Sequence, residues 1–478
     1  MRNKTENICT NRRDFLKGGS AALVAAASMT VVQQAFSQGS SSTGSGAVSR
    51  FSSQAATGSD EFWMDVKREF DFAPGLQYMN TGTTGSMPVR VRENYERNME
   101  IVTRNPRESF GGTAPMRESL APQFGANTDE FVISGNTTDG MNMTLHGFVW
   151  DRNDAIITTN HEHPAGIGPM SVISDRYGVG IYEVALPVGG HHEVEYYVDL
   201  FQQKIDQARR DGRTPKLIVF SSPTYVTGTM LPIRELADLA ISERMYTLCD
   251  SAHGTGMLNL DCHALGIDFL AASGHKWQCG PGGTGVWYAR NRADNSNPLP
   301  LPAFYPVRGQ SFRTADFSSD PEGAGGARNY DIAAHNTPGG NPNYPQLLAF
   351  VDTCNLWHQI GRQAIEDRIM SMSAYVRSRI VDEWGEQALI SDANPALSCG
   401  LTAFMPTGAF NPTDVEASNN FVNRLREETG FVIRNTSVTM PDGSPSIRPL
   451  RISGHIFHDM RDMEMAMDAI IEITRRSA

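Results

Sequence analysis

Few basic residues gather anywhere in this 478-residue chain: 41 Lys and Arg face 53 Asp and Glu, leaving a formal net charge of -12. A nucleic-acid surface needs cations clustered opposite the phosphates, so that class of partner is excluded. The six cysteines form neither a CxxC pair nor a Cys/His ladder. Cys9 lies in a leader-like segment, and of the five others (Cys249, Cys262, Cys279, Cys354 and Cys399) at least one must stay unpaired. Those spacings argue against a disulfide framework and a structural zinc site. The weakly apolar run from Gly18 to Val32 falls short of the ~20 residues a membrane-spanning helix needs, so no stable membrane anchor is expected. No internal repeat is visible. What is present, at 40% hydrophobic content, is enough apolar material for a large core divided into two or three domains.

The first residues read as a targeting segment. Asn11-Arg12-Arg13-Asp14-Phe15-Leu16-Lys17 sets paired arginines before an apolar pair and a lysine, and Ala35-Phe36-Ser37 offers a small-x-small cleavage site. This resembles a bacterial twin-arginine signal peptide, with Asn11 where Ser or Thr is common. The resemblance implies a signal over 1–37, passage through the twin-arginine translocon in the folded state, and a periplasmic destination. Residues 38–58, rich in Ser and Gly at their start, read as a flexible linker.

From Leu76 to Pro88 a short apolar strand breaks into Thr and Gly turns before a charged helical stretch, Val89 to Thr103. Seven short apolar runs then alternate with helical patterns: Phe131-Val132-Ile133, Ala155-Ile156-Ile157, Ile181 to Val184, Leu217 to Phe220, Tyr246 to Cys249, Phe269-Leu270-Ala271 and Gly285 to Tyr288. Such alternation predicts βαβ units, hence an α/β fold with a mostly parallel sheet. An N-terminal arm and large domain are expected over 59–340. Its Gly-, Pro- and Ser-rich stretch from Asn291 to Gly340 reads as a long active-site loop. Strands mixed with helices over 341–478 predict a smaller C-terminal α+β domain.

In a parallel sheet the ligand site lies at the carboxyl ends of the strands, and nearly every run here ends in polar side chains. Ser134-Gly135-Asn136-Thr137-Thr138, before a helical segment from Asp139 to Gly147, would aim backbone N–H groups and hydroxyls at a phosphate. The same stretch also suits an ordinary helix cap. Asp250 closes an apolar run with His253 three residues on, and Ser273-Gly274-His275-Lys276 closes another with a lysine. A lysine kept from full solvation forms Schiff bases with carbonyl groups, and an aspartate against a pyridine nitrogen keeps that ring an electron sink. His161-Glu162-His163 sets two imidazoles on one side of an extended segment, but spacing indicates no third metal ligand, so no metal is expected and His163 is read as a ring-stacking residue. Gly280-Pro281-Gly282-Gly283-Thr284-Gly285 fits G-x-G-x-x-G but precedes a strand, which excludes a dinucleotide fingerprint and predicts a tight turn behind Lys276.

The order Thr137-Thr138, His163, Asp250-Ser251-Ala252-His253 and Ser273-Gly274-His275-Lys276, with Gly280 to Gly285 and Val286-Trp287-Tyr288 behind it, resembles the class V aminotransferase family of fold-type I pyridoxal phosphate enzymes. The isopenicillin N epimerase-like branch is the nearest in pattern, and the resemblance runs from about Leu76 to the C-terminus. It implies a large domain built on a seven-stranded sheet. It makes Lys276 the Schiff-base lysine, Asp250 the partner of the pyridine nitrogen, and His253 or Tyr225 the contact to the ring oxygen. His163 would stack on the ring, and Thr138, Ser273 and His275, beside Thr137, would hold the phosphate of pyridoxal 5'-phosphate. Thr337, before Pro338-Gly339-Gly340, matches the place where the family reaches into a neighbour's phosphate site, which implies a homodimer with shared active sites. Arg451, in Leu450-Arg451-Ile452-Ser453, matches the arginine that clamps a substrate carboxylate, a task suited to a bidentate guanidinium. Asn80 and Thr83 complete the substrate-side candidates.

Three departures from the family stand out. No cysteine occurs from Arg308 to His335, where desulfurase relatives carry a nucleophile, Tyr225 stands where many relatives place asparagine, and His335-Asn336 precede Thr337 where glycine is usual. The resemblance therefore implies an enzyme acting on a small-molecule amino-acid substrate through an external aldimine and Cα deprotonation, as an epimerase or racemase or as an aminotransferase. The alternatives are a C–S lyase lacking a loop cysteine, or a binding protein that keeps the fold without catalysis.

Overall fold

The computed structural model describes residues 59–109, 111–300, 304, 331–337 and 340–477. The expected signal over 1–37, the expected linker over 38–58 and most of the stretch 291–340 lie outside the described residues. In chain order the elements are α1 (Asp60–Lys67), β1 (Gln77–Tyr78), α2 (Val89–Arg104), α3 (Ala114–Leu120), β2 (Phe131–Ser134), α4 (Thr137–Gly147), β3 (Asp154–Thr159), α5 (Pro164–Tyr177), β4 (Gly180–Val184), α6 (Val194–Arg210), β5 (Thr214–Ser221) and α7 (Ile233–Ser242). There follow β6 (Tyr246–Asp250), α8 (Cys262–Leu265), β7 (Phe269–Ser273), β8 (Gly285–Ala289), α9 (Ile332–Asn336), α10 (Tyr344–Ile360), α11 (Arg362–Trp384), β9 (Leu401–Phe404), α12 (Val415–Thr429), β10 (Phe431–Val432), β11 (Arg434–Asn435), β12 (Leu450–Ser453) and α13 (Met460–Ser477).

The seven apolar runs become the seven strands of one sheet, ordered β2-β8-β7-β6-β5-β3-β4. Every pair is parallel except those of β8, which runs antiparallel to both β2 and β7. The runs of the inner strands β3, β5 and β7 are apolar throughout because both faces of the sheet are covered there, whereas the edge strand β4 exposes Glu183. Ile157, Ile218, Phe220, Leu270 and Ala272 face one layer with Phe201 and Ile205 of α6 and Leu236 of α7. Their neighbours Ile156, Leu217, Val219, Phe269 and Ala271 face the other, with Met141 and Leu145 of α4 and Met170 and Ile173 of α5. The fold is therefore α/β with a mostly parallel sheet, as the pattern predicts.

Parallel pairing of β3, β5, β6 and β7 brings Thr159, Ser221, Asp250 and Ser273 to one edge of that sheet. A second, antiparallel sheet, β11-β12-β9, forms from the C-terminal segment. β1 does not join the large sheet: it pairs in parallel with β10, and Asn80 bridges to Ser453 at the end of β12. The Thr/Gly turns after β1 are thereby laid between the two sheets, beside the Ser273–Lys276 turn.

Candidate active site

Lys276 sits three residues beyond β7 on a turn held from both sides. The Gly274 N–H donates to the Thr284 carbonyl at 2.8 Å and the Gly280 N–H to the Gly274 carbonyl at 2.7 Å, so the glycine run does back the lysine turn. A side chain at position 274 would meet Thr284 Oγ1 at 2.5 Å, which is why glycine stands there. From the other side the Gly85 N–H and the Thr84 hydroxyl both donate to the His275 carbonyl, at 2.7 and 3.2 Å. Lys276 Nζ ends 3.5 Å from His253 Nε2, and among the described residues no carboxylate pairs with it. Desolvation lowers its pKa to about 8; the Asp250 charge opposes that fall while Arg451 and Arg434 reinforce it.

Asp250, 3% exposed at the end of β6, accepts the Ala252 N–H at 3.0 Å. Burial raises its pKa and the Lys276 charge pulls it back. The Trp277 indole N–H donates to His253 Nδ1 at 3.2 Å. Burial, aided by the Lys276 charge, holds this imidazole well below its ordinary pKa, and a neutral ring that accepts at Nδ1 carries its proton on Nε2, the atom facing Lys276. His163 caps α5, its Nδ1 accepting the Ala165 N–H at 3.1 Å, with its ring edge-on to Tyr225 at 4.9 Å. Desolvation by the residues packed around it, then the Lys276, Arg434 and Arg451 charges, lower its pKa to about 4. It therefore presents a neutral imidazole to the cleft.

At the phosphate end, Thr137 Oγ1 and Ser273 Oγ meet at 2.7 Å at the start of α4, where the Asn136 side chain accepts the Asp139 N–H at 2.9 Å. That cap starts the helix at Thr137, two residues ahead of the Asp139 start expected from sequence. Thr138 is exposed on the same first turn. His275 Nδ1 is buried without a partner, one turn away from these hydroxyls along the chain. Hydroxyls, first-turn N–H groups and an unpartnered imidazole fit a phosphate, while a shielded lysine and a buried aspartate fit a pyridine aldehyde.

Arg451 is 1% exposed on β12. Its Nη1 donates to the Tyr225 carbonyl at 2.6 Å, while Nε and Nη2 are buried with no partner. Desolvation, then the neighbouring Arg434 charge, lower its pKa to about 9. The strip after β1 lies against it: a side chain at Gly82 would come within 3.0 Å of Arg451 Nη2. On that strip Thr83 Oγ1 donates to Asn80 Oδ1 at 2.9 Å and accepts from Arg434 Nη1 at 3.2 Å.

The structure thus gathers Lys276, Asp250, His253, His163, Tyr225, Thr137, Ser273, His275, Arg451, Asn80 and Thr83 around one cleft. Thr337 does not join them within the chain. It ends α9, donates its hydroxyl to the Ala333 carbonyl at 2.8 Å, and belongs to a helix packed on β2 and Thr128–Glu130. Two residues outside the sequence-based set belong to the site. Glu162, 3% exposed, accepts from Thr159 Oγ1 at 2.6 Å, the Ser221 N–H at 3.0 Å and Ser221 Oγ at 2.6 Å. Burial lifts its pKa to about 7 with a further push from Asp250, which pairs with Ser221 across β5 and β6. Its signal in the sequence is its place between His161 and His163. Arg434, opposite Arg451, has no such signal.

Residues 108–416 match the family model for class V aminotransferases. The chain is 24% identical over 427 residues to isopenicillin N epimerase of Streptomyces clavuligerus, covering 86% of this chain and 98% of that protein. It is 28% identical over 319 residues to probable cysteine desulfurase 2 of Mycobacterium leprae (strain TN), covering 63% of this chain and 70% of that one. Among solved structures, a lysine mutant of C-DES with glycine covalently linked to its pyridoxal phosphate cofactor matches with a TM-score of 0.66 at 19% identity, over 85% of this chain and 99% of that chain. A family match over more than half of the chain, laid on this fold, makes the protein a member of the class V aminotransferase family of pyridoxal 5'-phosphate enzymes.

Proposed function

We propose that this enzyme holds an amino acid by its α-carboxylate on Arg451, removes the Cα proton with Lys276, and returns it as an epimerase. The observation that carries the reading is the buried, acid-free guanidinium of Arg451, two of whose nitrogens have no partner. Burying a cation without a counter-charge is expensive unless a ligand supplies the anion, and a carboxylate matches the fork bidentately. Bound in the cleft, pyridoxal phosphate supplies the electron-withdrawing ring that makes a Cα proton labile. Asp250 is placed to hold the ring nitrogen's proton, His163 to cover the ring face, and Thr137, Ser273 and His275 to hold the phosphate. Lys276, shielded and with its pKa lowered to about 8, is about half unprotonated near that pH and so suited to move the proton at Cα.

The near full-length likeness to an epimerase favours epimerisation over amino transfer. A second reading, C–S bond cleavage, is favoured by the likeness to C-DES, described as a cystine C-S lyase, and to a desulfurase. All five cysteines among the described residues are buried, and burial raises each thiol's pKa, so none of them is poised to accept sulfur. A lyase of this kind would release its sulfur product to solvent.

Incubation of the holoenzyme with L-amino acids in deuterated water, with and without a keto acid, separates these readings. Deuterium at Cα with loss of optical purity supports epimerisation, amino transfer supports a transaminase, and sulfide with pyruvate supports a lyase. Lys276→Ala is expected to abolish exchange and the visible absorbance of the lysine-bound cofactor; exchange undiminished in that variant would overturn the assignment of Lys276.

A further inference from the structure

β11 and β12 pair with Arg434 directly opposite Arg451. Residues opposed across an antiparallel pair project from the same face with Cβ atoms roughly 4.5–5.5 Å apart, where like charges repel. Nothing within the described residues neutralises the pair: neither guanidinium has a carboxylate within ion-pair distance, and the charge felt most strongly by Arg451 is that of Arg434. Arg434 donates instead to neutral oxygens, to Thr83 Oγ1 at 3.2 Å and the Asn435 carbonyl at 3.3 Å. Its charge also depresses the proton affinity of Lys276, His163 and His253, so it overlooks the same volume as the lysine. The two arginines differ in depth: Arg451 is fully buried with two unpartnered nitrogens, whereas Arg434 is exposed at the rim beside the strip after β1.

A cross-strand cation pair with one member buried, the other exposed and no carboxylate of the described residues on either is arranged to receive negative charge from a ligand. One α-carboxylate fills the inner guanidinium. We propose that Arg434 is a specificity residue that binds a second carboxylate at the far end of the substrate side chain, so that the enzyme acts on acidic, dicarboxylic amino acids. This inference rests on the assignment of Arg451 to the α-carboxylate. The Asn80–Thr83–Arg434 chain of hydrogen bonds fixes the rim guanidinium in place before the ligand arrives, which limits the ordering lost on binding.

The test is calorimetric binding of unreactive acids, succinate and glutarate against butyrate, to the holoenzyme and to its Arg434→Gln and Arg451→Gln variants, each checked for unchanged thermal unfolding. The better-fitting dicarboxylate is expected to bind at least about tenfold more tightly than butyrate in the wild type, a difference that Arg434→Gln erases while leaving butyrate within about twofold. Arg451→Gln is expected to weaken all three. No preference for either dicarboxylate in the wild type, or an equal loss for butyrate and the dicarboxylates in Arg434→Gln, overturns the proposal; the second outcome shows that both arginines share one carboxylate. If Arg451→Gln leaves every affinity unchanged, the assignment of Arg451 fails, and the inference resting on it fails with it.

Discussion

Two buried arginines in this molecule are treated in opposite ways. Arg290, just beyond β8 at the sheet edge opposite the cleft, gives its Nε to Asp268 Oδ1 at 3.0 Å and its Nη1 to the carbonyls of Arg292 and Leu299, and its Nη2 also meets Asp268. Asp268 is closed in turn by the Thr247 N–H at 3.0 Å and the Asn297 amide at 3.2 Å. Arg451, equally buried, faces another cation and keeps two nitrogens idle. One network is complete within the chain and serves the fold. The other is left open by the chain, with two buried donors unused, as the carboxylate-binding role proposed for Arg451 requires.

The sharpest way to test that contrast is to remove each cation while keeping its volume. Arg290→Met strands the buried Asp268 charge and is expected to destabilise by about 3–5 kcal/mol, the usual penalty for breaking a buried pair from one side. Arg451→Met removes a desolvated charge that has no counter-ion and loses one hydrogen bond, so its stability is expected to stay within about 1 kcal/mol of wild type, or above it. Urea unfolding followed by tryptophan fluorescence measures both; equal losses at the two positions would show that Arg451 is structural.

The difference between the networks also explains what the sequence could reveal. Ile156-Ile157 and Leu217–Phe220 are legible as strands because both faces of their sheet are covered, and a doubly buried strand is apolar in every position. Lys276 and Asp250 are legible because parallel strands all deliver their last residues to one edge. The placement of β1 against β10, and of Arg434 against Arg451, is set by pairing between segments far apart or newly juxtaposed in space, and leaves no local period to read. Glu162 is hidden for a related reason: its donors, Thr159 and Ser221, come from two different strands. Thr337 shows the converse limit, since a motif match gave it a role across an interface that contacts within one protomer do not address.

Glu162 lies between the two extremes, a buried acid satisfied by hydroxyls and an N–H but by no cation. Its pKa is raised from 4.5 to about 7, first by burial, so the folded state binds a proton more tightly than the unfolded chain. Its contribution is therefore fully present below about pH 4.5 and is lost as pH rises through 7, a swing on the order of 3 kcal/mol. Glu162→Gln cannot ionise and is expected to remove that decline. Stability curves of the two proteins measured from pH 4.5 to 8 check it: parallel curves would mean that Glu162 stays charged throughout and that Ser221 and Thr159 compensate its burial in full.

The smallest effect tests the cleft's electrostatics most directly. Only an unprotonated amine attacks the cofactor aldehyde, so the rate at which the apo-enzyme captures pyridoxal phosphate reports the protonation of Lys276. With desolvation holding that pKa near 8, capture is expected to rise with pH and level off a little above 8, where a solvated lysine would still be gaining at 10. Arg434→Gln takes away a repelling cation and should shift the inflection upward; Asp250→Asn takes away an attracting anion and should shift it downward. Opposite displacements from two residues on different sheets would establish that Lys276 feels both the closed chemistry of the large sheet and the open cation pair of the small one. An inflection that moves with neither would place the lysine in solvent and remove the basis for reading the uncompensated arginines as parts of the same site.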